Sequence, residues 1–232
     1  LIIFLALALS TPPSRVSGGD LMSDSNLLLA FIRGLESFNT KILNNWINGT
    51  SPCTWVGVGC NEAEDTIQTL RLPSLGLHGT IAPHTLSAMS NLRVISLRSN
   101  RLTGPIPADL STATHLRKLF LQHNLLTGPI PSFNSTLTPA LNVMDVSYNN
   151  LTGQIPSSIS TLTLSILLLQ NNSLSGSIPD GIGTGSLLQF NVSNNNLSGA
   201  VPASLRTFPD SSFGGNTALC GLPTSNGRCG TE

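Results

Sequence analysis

The sequence predicts an α/β solenoid, in which short coils stack into a curved superhelix with a parallel β-sheet on its concave face. One phrase recurs along most of the chain, and successive copies of its Asn are 24, 25, 23 and 23 residues apart. Each copy starts with alternating apolar residues, which is typical of a short strand with one buried face. Because a single coil cannot bury its own apolar side, the coils must stack and share a continuous core.

The repeated phrase reads apolar-x-apolar, two residues, Asn, x, Leu, x, Gly, x, Ile and Pro, as in residues 95–107. The Asn amide can satisfy backbone groups at the bend, Gly permits positive φ, and Pro fixes the exit. A first, degenerate copy has Leu75 in the Asn place, as expected for an end repeat with one neighbour. We therefore predict six coils over residues 66–205. The predicted Asn ladder consists of Asn100, Asn124, Asn149, Asn172 and Asn195.

The segments on either side of the repeats predict two small caps, over residues 20–65 and 206–232. Apolar residues between positions 27 and 35 follow helical spacing, so they predict a helix that covers the open end of the first coil. Asp24 or Ser25 is available as the N-cap of this helix.

Four cysteines flank the repeats in two close pairs. They permit three connectivities, and local pairing is favoured because the two pairs lie on opposite sides of the repeats. Neither pair has the short spacing of a zinc site, so we expect no metal. Disulfides would staple two caps that have little core of their own, with Trp46 and Trp55 filling the first. The predicted disulfide residues are Cys53, Cys60, Cys220 and Cys229.

The first 19 residues predict a signal peptide. Residues 1–9 are entirely apolar, too few to span a bilayer, which takes about 20, and small residues follow at positions 17–19. Because no initiator Met or basic leader precedes this segment, we expect that the given sequence begins after the native start. The chain is therefore expected to be exported.

The charge composition and the motifs argue against several classes of protein. The chain has 11 basic and 11 acidic residues, so it lacks the basic excess of a nucleic-acid binder. It contains no nucleophile elbow, no phosphate loop, and none of the kinase glycine loop, catalytic loop or DFG triplet. Its four His residues show no paired metal spacing. We expect no catalytic residues, no cofactor and no enzymatic activity in this chain.

The Leu-x-Gly-x-Ile-Pro phrase at this repeat length resembles the plant-specific class of leucine-rich repeats. Residues 24–31, Trp46 and residues 53–60 resemble the N-terminal cap of plant receptor-like kinases, and residues 208–229 resemble their C-terminal cap. A narrower resemblance is to the short-ectodomain probable inactive and pollen receptor kinases. It rests on the segments at 70–73, 95–98, 190–193 and 208–209.

This resemblance implies a right-handed leucine-rich-repeat superhelix that forms the extracellular domain of a plant cell-surface receptor. It implies a juxtamembrane linker that starts near the end of the chain, then a membrane helix and a cytoplasmic kinase or pseudokinase. The implied partners are a peptide or protein ligand, another receptor ectodomain, or both. The implied location is the outer face of the plasma membrane, reached through the secretory pathway. The alternative is a free secreted binding protein, such as a polygalacturonase-inhibitor-like defence protein.

The outward side chains of the predicted strands form the candidate ligand surface. Basic residues concentrate in the early coils, and aromatic residues lie beside them, as in many interface hot spots. We expect a partner to contact these early coils. The predicted ligand-binding residues are Arg71, Ser96, Arg98, Lys118, Phe120, Gln122, His123, Asp145 and Tyr148.

Six Asn-x-Ser/Thr sequons are candidate glycan acceptors in an exported chain. A glycan on Asn171 or Asn191 would obstruct the late half of the concave face, which also favours the early coils as the binding region. The six acceptors are Asn48, Asn134, Asn150, Asn171, Asn191 and Asn196.

Overall fold

A computed structural model describes residues 19–38, 43–185, 187–224, 227 and 229 of the protein. The predicted signal peptide therefore lies, up to residue 18, outside the described residues. The helix α1 spans Gly19–Arg33. In chain order the strands are β1 (Leu35–Ser37), β2 (Val58–Cys60), β3 (Ile67–Arg71), β4 (His78–Thr80), β5 (Val94–Ser96), β6 (Arg101–Thr103), β7 (Lys118–Phe120), β8 (Thr127–Gly128), β9 (Val143–Asp145), β10 (Asn150–Gln154), β11 (Ile166–Leu168), β12 (Ser173–Gly176), β13 (Gln189–Asn191), β14 (Asn196–Ala200) and β15 (Ala218–Cys220).

The molecule is a leucine-rich-repeat solenoid whose main sheet has seven strands in the order β13-β11-β9-β7-β5-β3-β2. The strands β3, β5, β7, β9, β11 and β13 are parallel and define coils 1 to 6, whereas β2 from the N-terminal cap pairs antiparallel to β3. The penultimate residue of each of these six parallel strands points into the core and is buried. In register these residues are Leu70, Ile95, Leu119, Met144, Leu167 and Phe190.

A second layer of strands follows the Asn of each coil. It consists of a five-stranded sheet, β15-β14-β12-β10-β8, and a three-stranded sheet, β1-β4-β6. Between these two sheets, Pro105 and Thr127 form an isolated bridge, and the N–H groups of Leu125 and Thr127 donate to the carbonyl oxygens of Leu102 and Gly104. Coil 3 has Pro129 where coils 4 to 6 have Gln154, Ser177 and Ala200. Since proline has no N–H, Pro129 cannot donate the next hydrogen bond of this ladder to coil 2, so the pairing there stays short.

Coils 1, 2, 4 and 6 close through 3-10 helices. These span Leu86–Ala88, Ala108–Thr112, Ser157–Thr161 and Ala203–Leu205. Within the described part of the chain, α-helix occurs in the N-terminal cap alone. One apolar cluster runs from Leu28 in this cap to Leu219 near the other end, so all coils share a single core.

The Asn side chains connect each coil to its neighbour. Asn149 accepts a hydrogen bond from the Leu126 N–H at 3.0 Å and donates to the carbonyl oxygens of Leu121 and Val146, each at 3.1 Å. One amide thereby satisfies three backbone groups in two coils. The same arrangement recurs at Asn100, Asn124, Asn172 and Asn195.

The N-terminal cap corrects two details of the predicted helix. Asp24 and Ser25 lie inside the helix, which already includes Gly19, so neither is its N-cap. The Ser25 hydroxyl donates to the Met22 carbonyl oxygen at 2.8 Å. Leu35 is buried, but it lies beyond the helix in β1. Periodicity identified the apolar face correctly and placed the ends wrongly, because helix ends depend on packing as well as on local signals.

Two tryptophans and a disulfide hold the N-terminal cap together. Trp46 and Trp55 are buried and stacked, with ring centroids 5.2 Å apart. Their indole N–H groups donate to the Val56 carbonyl and the Thr50 hydroxyl, so no buried polar group of these rings is left unpaired. The predicted disulfide between Cys53 and Cys60 is present.

The C-terminal cap contains the second predicted disulfide, Cys220–Cys229, and one ladder residue that the repeat phrase did not reveal. Asn216 accepts from the Leu197 N–H and donates to the carbonyls of Val192 and Phe213, as a ladder Asn does. Its spacing of 21 residues from Asn195 is shorter than the others, and no Leu-x-Gly-x-Ile-Pro phrase follows it. The cap therefore closes the solenoid by imitating one more coil.

The helix in the described residues does not reach the length and apolarity that crossing a membrane requires.

Candidate ligand-binding face

The strand face is the outward surface of strands β3, β5, β7, β9, β11 and β13 with the two or three residues after each. Parallel register aligns its central row across all six coils. Two members, Ser96 and Asp145, are buried although their side chains belong to this row, and Phe120 lies between them in register. The row consists of Arg71, Ser96, Phe120, Asp145, Leu168 and Asn191.

A shallow depression of about 240 Å³ lies on the strand face of coils 1 to 3. Three cations reach it from three successive coils: Arg71, Arg98 and Lys118, all exposed. The guanidinium of Arg71 donates to the Thr69 hydroxyl at 2.9 Å, which restrains one wall. The depression is lined by Arg71, Val94, Ser96, Arg98, Lys118 and Phe120.

None of the three cations forms an ion pair with a carboxylate of the described residues, although the Asp145 carboxyl is near enough to Arg98 for their charges to interact. The ion pairs found there involve His78 with Glu36 and His84 with Asp109, both away from the strand face. Val94 and the half-buried Phe120 add an apolar floor between the charges. The depression can therefore bind a group that combines negative charge with apolar surface.

Asp145 lies in coil 4, directly beside Phe120 in register. Its Oδ1 accepts hydrogen bonds from the Ser147 N–H at 3.1 Å and from the Ser147 hydroxyl at 2.6 Å. Burial raises the pKa of Asp145, and the Ser147 hydrogen bonds and the charges of His123 and Arg98 offset this only in part. The strand face thus changes from basic to acidic between coils 3 and 4.

His123 and Tyr148 form the border of the strand face. Their rings are stacked, with centroids 4.2 Å apart, and both side chains are exposed. The repeat spacing predicted an outward strand position for His123, but β7 ends at Phe120 and His123 has a φ of 56°. The equivalent residue of every coil adopts this left-handed conformation, because the chain turns towards the Asn there. Those residues are Ser74, Ser99, His123, Tyr148, Asn171 and Asn194.

Gln122 lies beside Phe120 and is half-buried. The predicted ligand-binding set thus forms one continuous area over coils 1 to 4. Sequence reasoning missed Val94, which lines the depression, and Thr69, which holds Arg71. Both occupy the first outward position of their strands, so the same alternation that selected the central row would have found them.

The six sequons are distributed unevenly over the fold. Asn48 lies in the N-terminal cap, Asn134 in the connection after coil 3, and the other four in the second half of the solenoid. Asn191 is on the central row of coil 6, and Asn171 is at the border of coil 5, where its Oδ1 accepts from Asn194. No sequon falls within residues 49–133, which contain the depression.

One serine, histidine and aspartate lie together, but their contacts do not match those of a nucleophilic triad. Both the Ser87 hydroxyl and the His84 backbone N–H donate to Oδ2 of Asp109. Burial raises the pKa of Asp109, but these hydrogen bonds outweigh it and hold the pKa below the usual value. Because the serine contacts the aspartate and not the imidazole, no base activates it. The cluster links the closing turns of two neighbouring coils.

Sequence profiles of known families match most of the chain. The leucine rich repeat N-terminal domain matches residues 21–61, and leucine rich repeats match residues 66–126, 140–162, 163–184 and 186–208. The crystal structure of a pollen receptor kinase 3 is 33% identical, covers 85% of this chain and 97% of its own, and superposes with a TM-score of 0.75. The chain belongs to the leucine-rich-repeat family of plant receptor kinases. Two of its structural neighbours, BIR2 and HAESA from Arabidopsis, were solved as ectodomains, and the chain corresponds to this non-catalytic part of such receptors.

Other plant receptor structures share the architecture. The BIR3–SERK2 complex from Arabidopsis thaliana contains a chain that is 30% identical, with a TM-score of 0.64 and coverage of 88% of this chain and 98% of that chain. The Arabidopsis receptor kinase HAESA, solved with the peptide hormone IDA and the co-receptor SERK1, is 29% identical. The match covers 88% of this chain and 34% of that one, with a TM-score of 0.71.

Curated relatives in Arabidopsis thaliana agree with the narrower resemblance. An inactive leucine-rich repeat receptor-like serine/threonine-protein kinase is 39% identical over 109 residues, which is 47% of this chain and 17% of the relative. Pollen receptor-like kinase 3 is 35% identical over 108 residues, which is 46% of this chain and 16% of the relative. The match spans about a sixth of the length of such relatives.

Proposed function

We propose that this chain is the extracellular recognition domain of a plant receptor kinase and that it binds a peptide or a second ectodomain through the strand face of coils 1 to 4. The observation that carries the proposal is the depression lined by Arg71, Arg98 and Phe120, where exposed cations surround aromatic surface. Arg and aromatic side chains supply much of the binding energy at protein interfaces. The related structures contain a peptide hormone and partner ectodomains, which supports the same mode of action.

The sequons support the choice of the early coils. We propose that the six Asn acceptors carry glycans where they are accessible, after export through the secretory pathway to the outer face of the plasma membrane. A glycan on Asn191 would occupy the central row in coil 6, and one on Asn171 would flank coil 5. The strand face of coils 1 to 3 carries no sequon, so it would stay open to a partner.

A binding screen tests the proposed function. The secreted, glycosylated chain would be screened against a panel of plant receptor ectodomains and apoplastic peptides by biolayer interferometry. We expect at least one specific partner, and we expect the double variant Arg98→Ala/Phe120→Ala to weaken its binding at least about tenfold, as loss of a hot spot does. A panel without any binder, or undiminished binding by this variant, would contradict the proposal.

The matched control is the double variant Arg101→Ala/Leu125→Ala. It also removes one exposed cation and one exposed apolar side chain from neighbouring coils, but both follow the strand face and belong to the second layer. It should bind as the unaltered chain does. If the control loses as much affinity as Arg98→Ala/Phe120→Ala, the partner does not use the strand face.

We further propose that a membrane helix and a kinase or pseudokinase follow in the complete protein, as the relatives' names suggest. The comparisons favour this over a free secreted defence protein, because the relatives and neighbours are receptor kinases. The downstream reading frame tests it directly. It should encode about 20 consecutive apolar residues followed by basic ones, whereas an early stop codon would favour the secreted alternative.

A further inference from the structure

We propose that the depression on coils 1 to 3 binds the carboxylate of an Asp or Glu residue in an extended peptide segment, next to an aromatic or aliphatic side chain of the same segment. This inference rests on the proposed function and names the chemistry of the ligand. It concerns one subsite, so the chain can bind a partner through the strand face even if this subsite takes another group.

Charge is the first argument. Arg71, Arg98 and Lys118 are three of the 11 Lys and Arg residues in a chain with few charges, and they come from three different coils. None forms an ion pair with a carboxylate of the described residues. Like charges gathered at one depression repel one another, so a bound anion would remove an unfavourable interaction as well as add favourable ones. Guanidinium groups bind carboxylates through paired hydrogen bonds.

The floor of the depression is the second argument. Val94 and Phe120 are half-buried there and Ser96 is buried, so apolar surface lies between the cations. A small hydrated anion would leave this surface in contact with water. A peptide segment with an acidic and an apolar residue side by side would cover the floor and reach the cations together. The volume of about 240 Å³ suits one or two side chains of a longer segment.

Asp145 sets the orientation in which a ligand would bind. It lies one strand beyond Phe120 in register, and neighbouring strands are about 4.8 Å apart. A second carboxylate placed over coil 4 would be repelled by Asp145, whereas a hydrogen-bond donor would be attracted. The ligand should therefore present its acidic residue to coils 1 to 3 and a neutral or basic residue to coil 4.

Selection from a displayed library of random 12-residue peptides tests the inference. Peptides enriched on the glycosylated chain should contain Asp or Glu beside Phe, Tyr, Trp or Leu. A synthetic copy, acetylated and amidated to remove its terminal charges, should lose about tenfold in affinity when its acidic residue becomes the amide. Its affinity should also fall as salt rises. Enrichment of peptides without acidic residues, or no enrichment at all, would overturn the inference.

Charge reversal on the chain provides the matched pair of variants. Arg98→Glu/Lys118→Glu should abolish binding of the synthetic peptide, and Arg101→Glu/Arg206→Glu should not, because its exposed cations lie off the strand face. Asp145→Asn should raise the affinity by removing the repulsion. Equal binding by the two reversal variants would overturn the inference. If the enriched peptides contain no Asp or Glu but still lose binding when Phe120 is replaced by Ala, the inference is overturned and the proposed function still holds.

Discussion

Asp145 and Asn191 occupy the same row of the strand face and make the same local hydrogen bond. In each, Oδ1 accepts from the backbone N–H two residues later, that of Ser147 or Ser193. Asp145 differs from Asn191 in two ways: its Oδ1 also accepts from the Ser147 hydroxyl, and its carboxyl group can ionise, with a pKa that burial raises. An amide oxygen can accept both kinds of hydrogen bond, and in coil 6 it accepts the one from the backbone. The charge of Asp145 is therefore not needed for the fold. The negative charge of Asp145 is available to alter the electrostatic potential of the strand face.

We predict that Asp145→Asn unfolds at the same or a higher temperature than the unaltered chain at about pH 7. A carboxyl whose pKa is raised by folding disfavours the folded state when it is ionised. This effect disappears as the pH falls through the folded pKa towards the ordinary value of 3.8. Thermal unfolding followed by circular dichroism between about pH 7 and 3 should therefore show the two melting temperatures converging. A difference between the two melting temperatures that grows as the pH falls would contradict this prediction.

The ladder is the element that couples one coil to the next. Each ladder Asn bonds backbone groups on two coils, and Asn216 extends the row into the C-terminal cap. No sheet hydrogen bond can replace these contacts, because the chain turns inward at this point. The Asn ladder and the parallel sheet therefore stabilise the stacking of neighbouring coils at two different positions in each coil.

We predict that Asn149→Ala destabilises the chain by about 3–5 kcal/mol. The change leaves the Leu126 N–H and the carbonyls of Leu121 and Val146 without their side-chain partner in a buried site. It does not alter the sequon at Asn150. Urea unfolding would measure the loss. The control is Asn91→Ala, whose amide makes only a weak, exposed bond to Ser90 and should cost less than about 0.5 kcal/mol. Similar decreases in the free energy of unfolding of both variants would show that the ladder hydrogen bonds contribute little to stability.

At the scale of the whole molecule, the coils form a nearly one-dimensional array. Each of β5, β7, β9 and β11 pairs with the strand of the coil before it and the strand of the coil after it, and the core is one continuous cluster. Stability in such an array is approximately a sum of coil terms and interface terms. The array should therefore accept the loss of a complete coil but not of part of one.

We predict that deletion of residues 143–165 yields a folded solenoid with a lower melting temperature. The deletion joins Asn142 to Ile166, so that β11 can take the register that β9 had against β7. One coil and one interface are lost, and both caps remain. Deletion of residues 143–154 is the control, since it puts the Asn ladder out of line and should prevent cooperative folding. Circular dichroism melts would compare them, and equal behaviour of the two deletions would contradict the array description.

The sequence was most informative about features of the fold that depend on short, repeated residue patterns. Register, buried row and Asn positions follow from the spacing of Leu, Asn and Gly within each copy, because every coil meets a neighbour of the same kind. Prediction was poorer where the pattern ends. The end of α1 at Arg33, before Leu35, and the ladder role of Asn216 depend on how a cap fits one particular coil. The left-handed φ of His123 and Tyr148 also reflects the turn and not the residue type.

By itself, the sequence determined that this protein is a stack of coils with two disulfide-stapled caps, because periodic apolar and amide residues encode contacts between neighbours. Only the tertiary structure decided which outward side chains meet. Arg71, Arg98 and Lys118 are separated by 27 and 20 residues in the chain, yet they surround one depression whose floor includes Val94. It also decided that Asp145 is buried, since its exposure depends on the size of side chains in adjacent coils. Binding surfaces depend on such contacts between side chains of adjacent coils, which the spacing within one repeat does not describe.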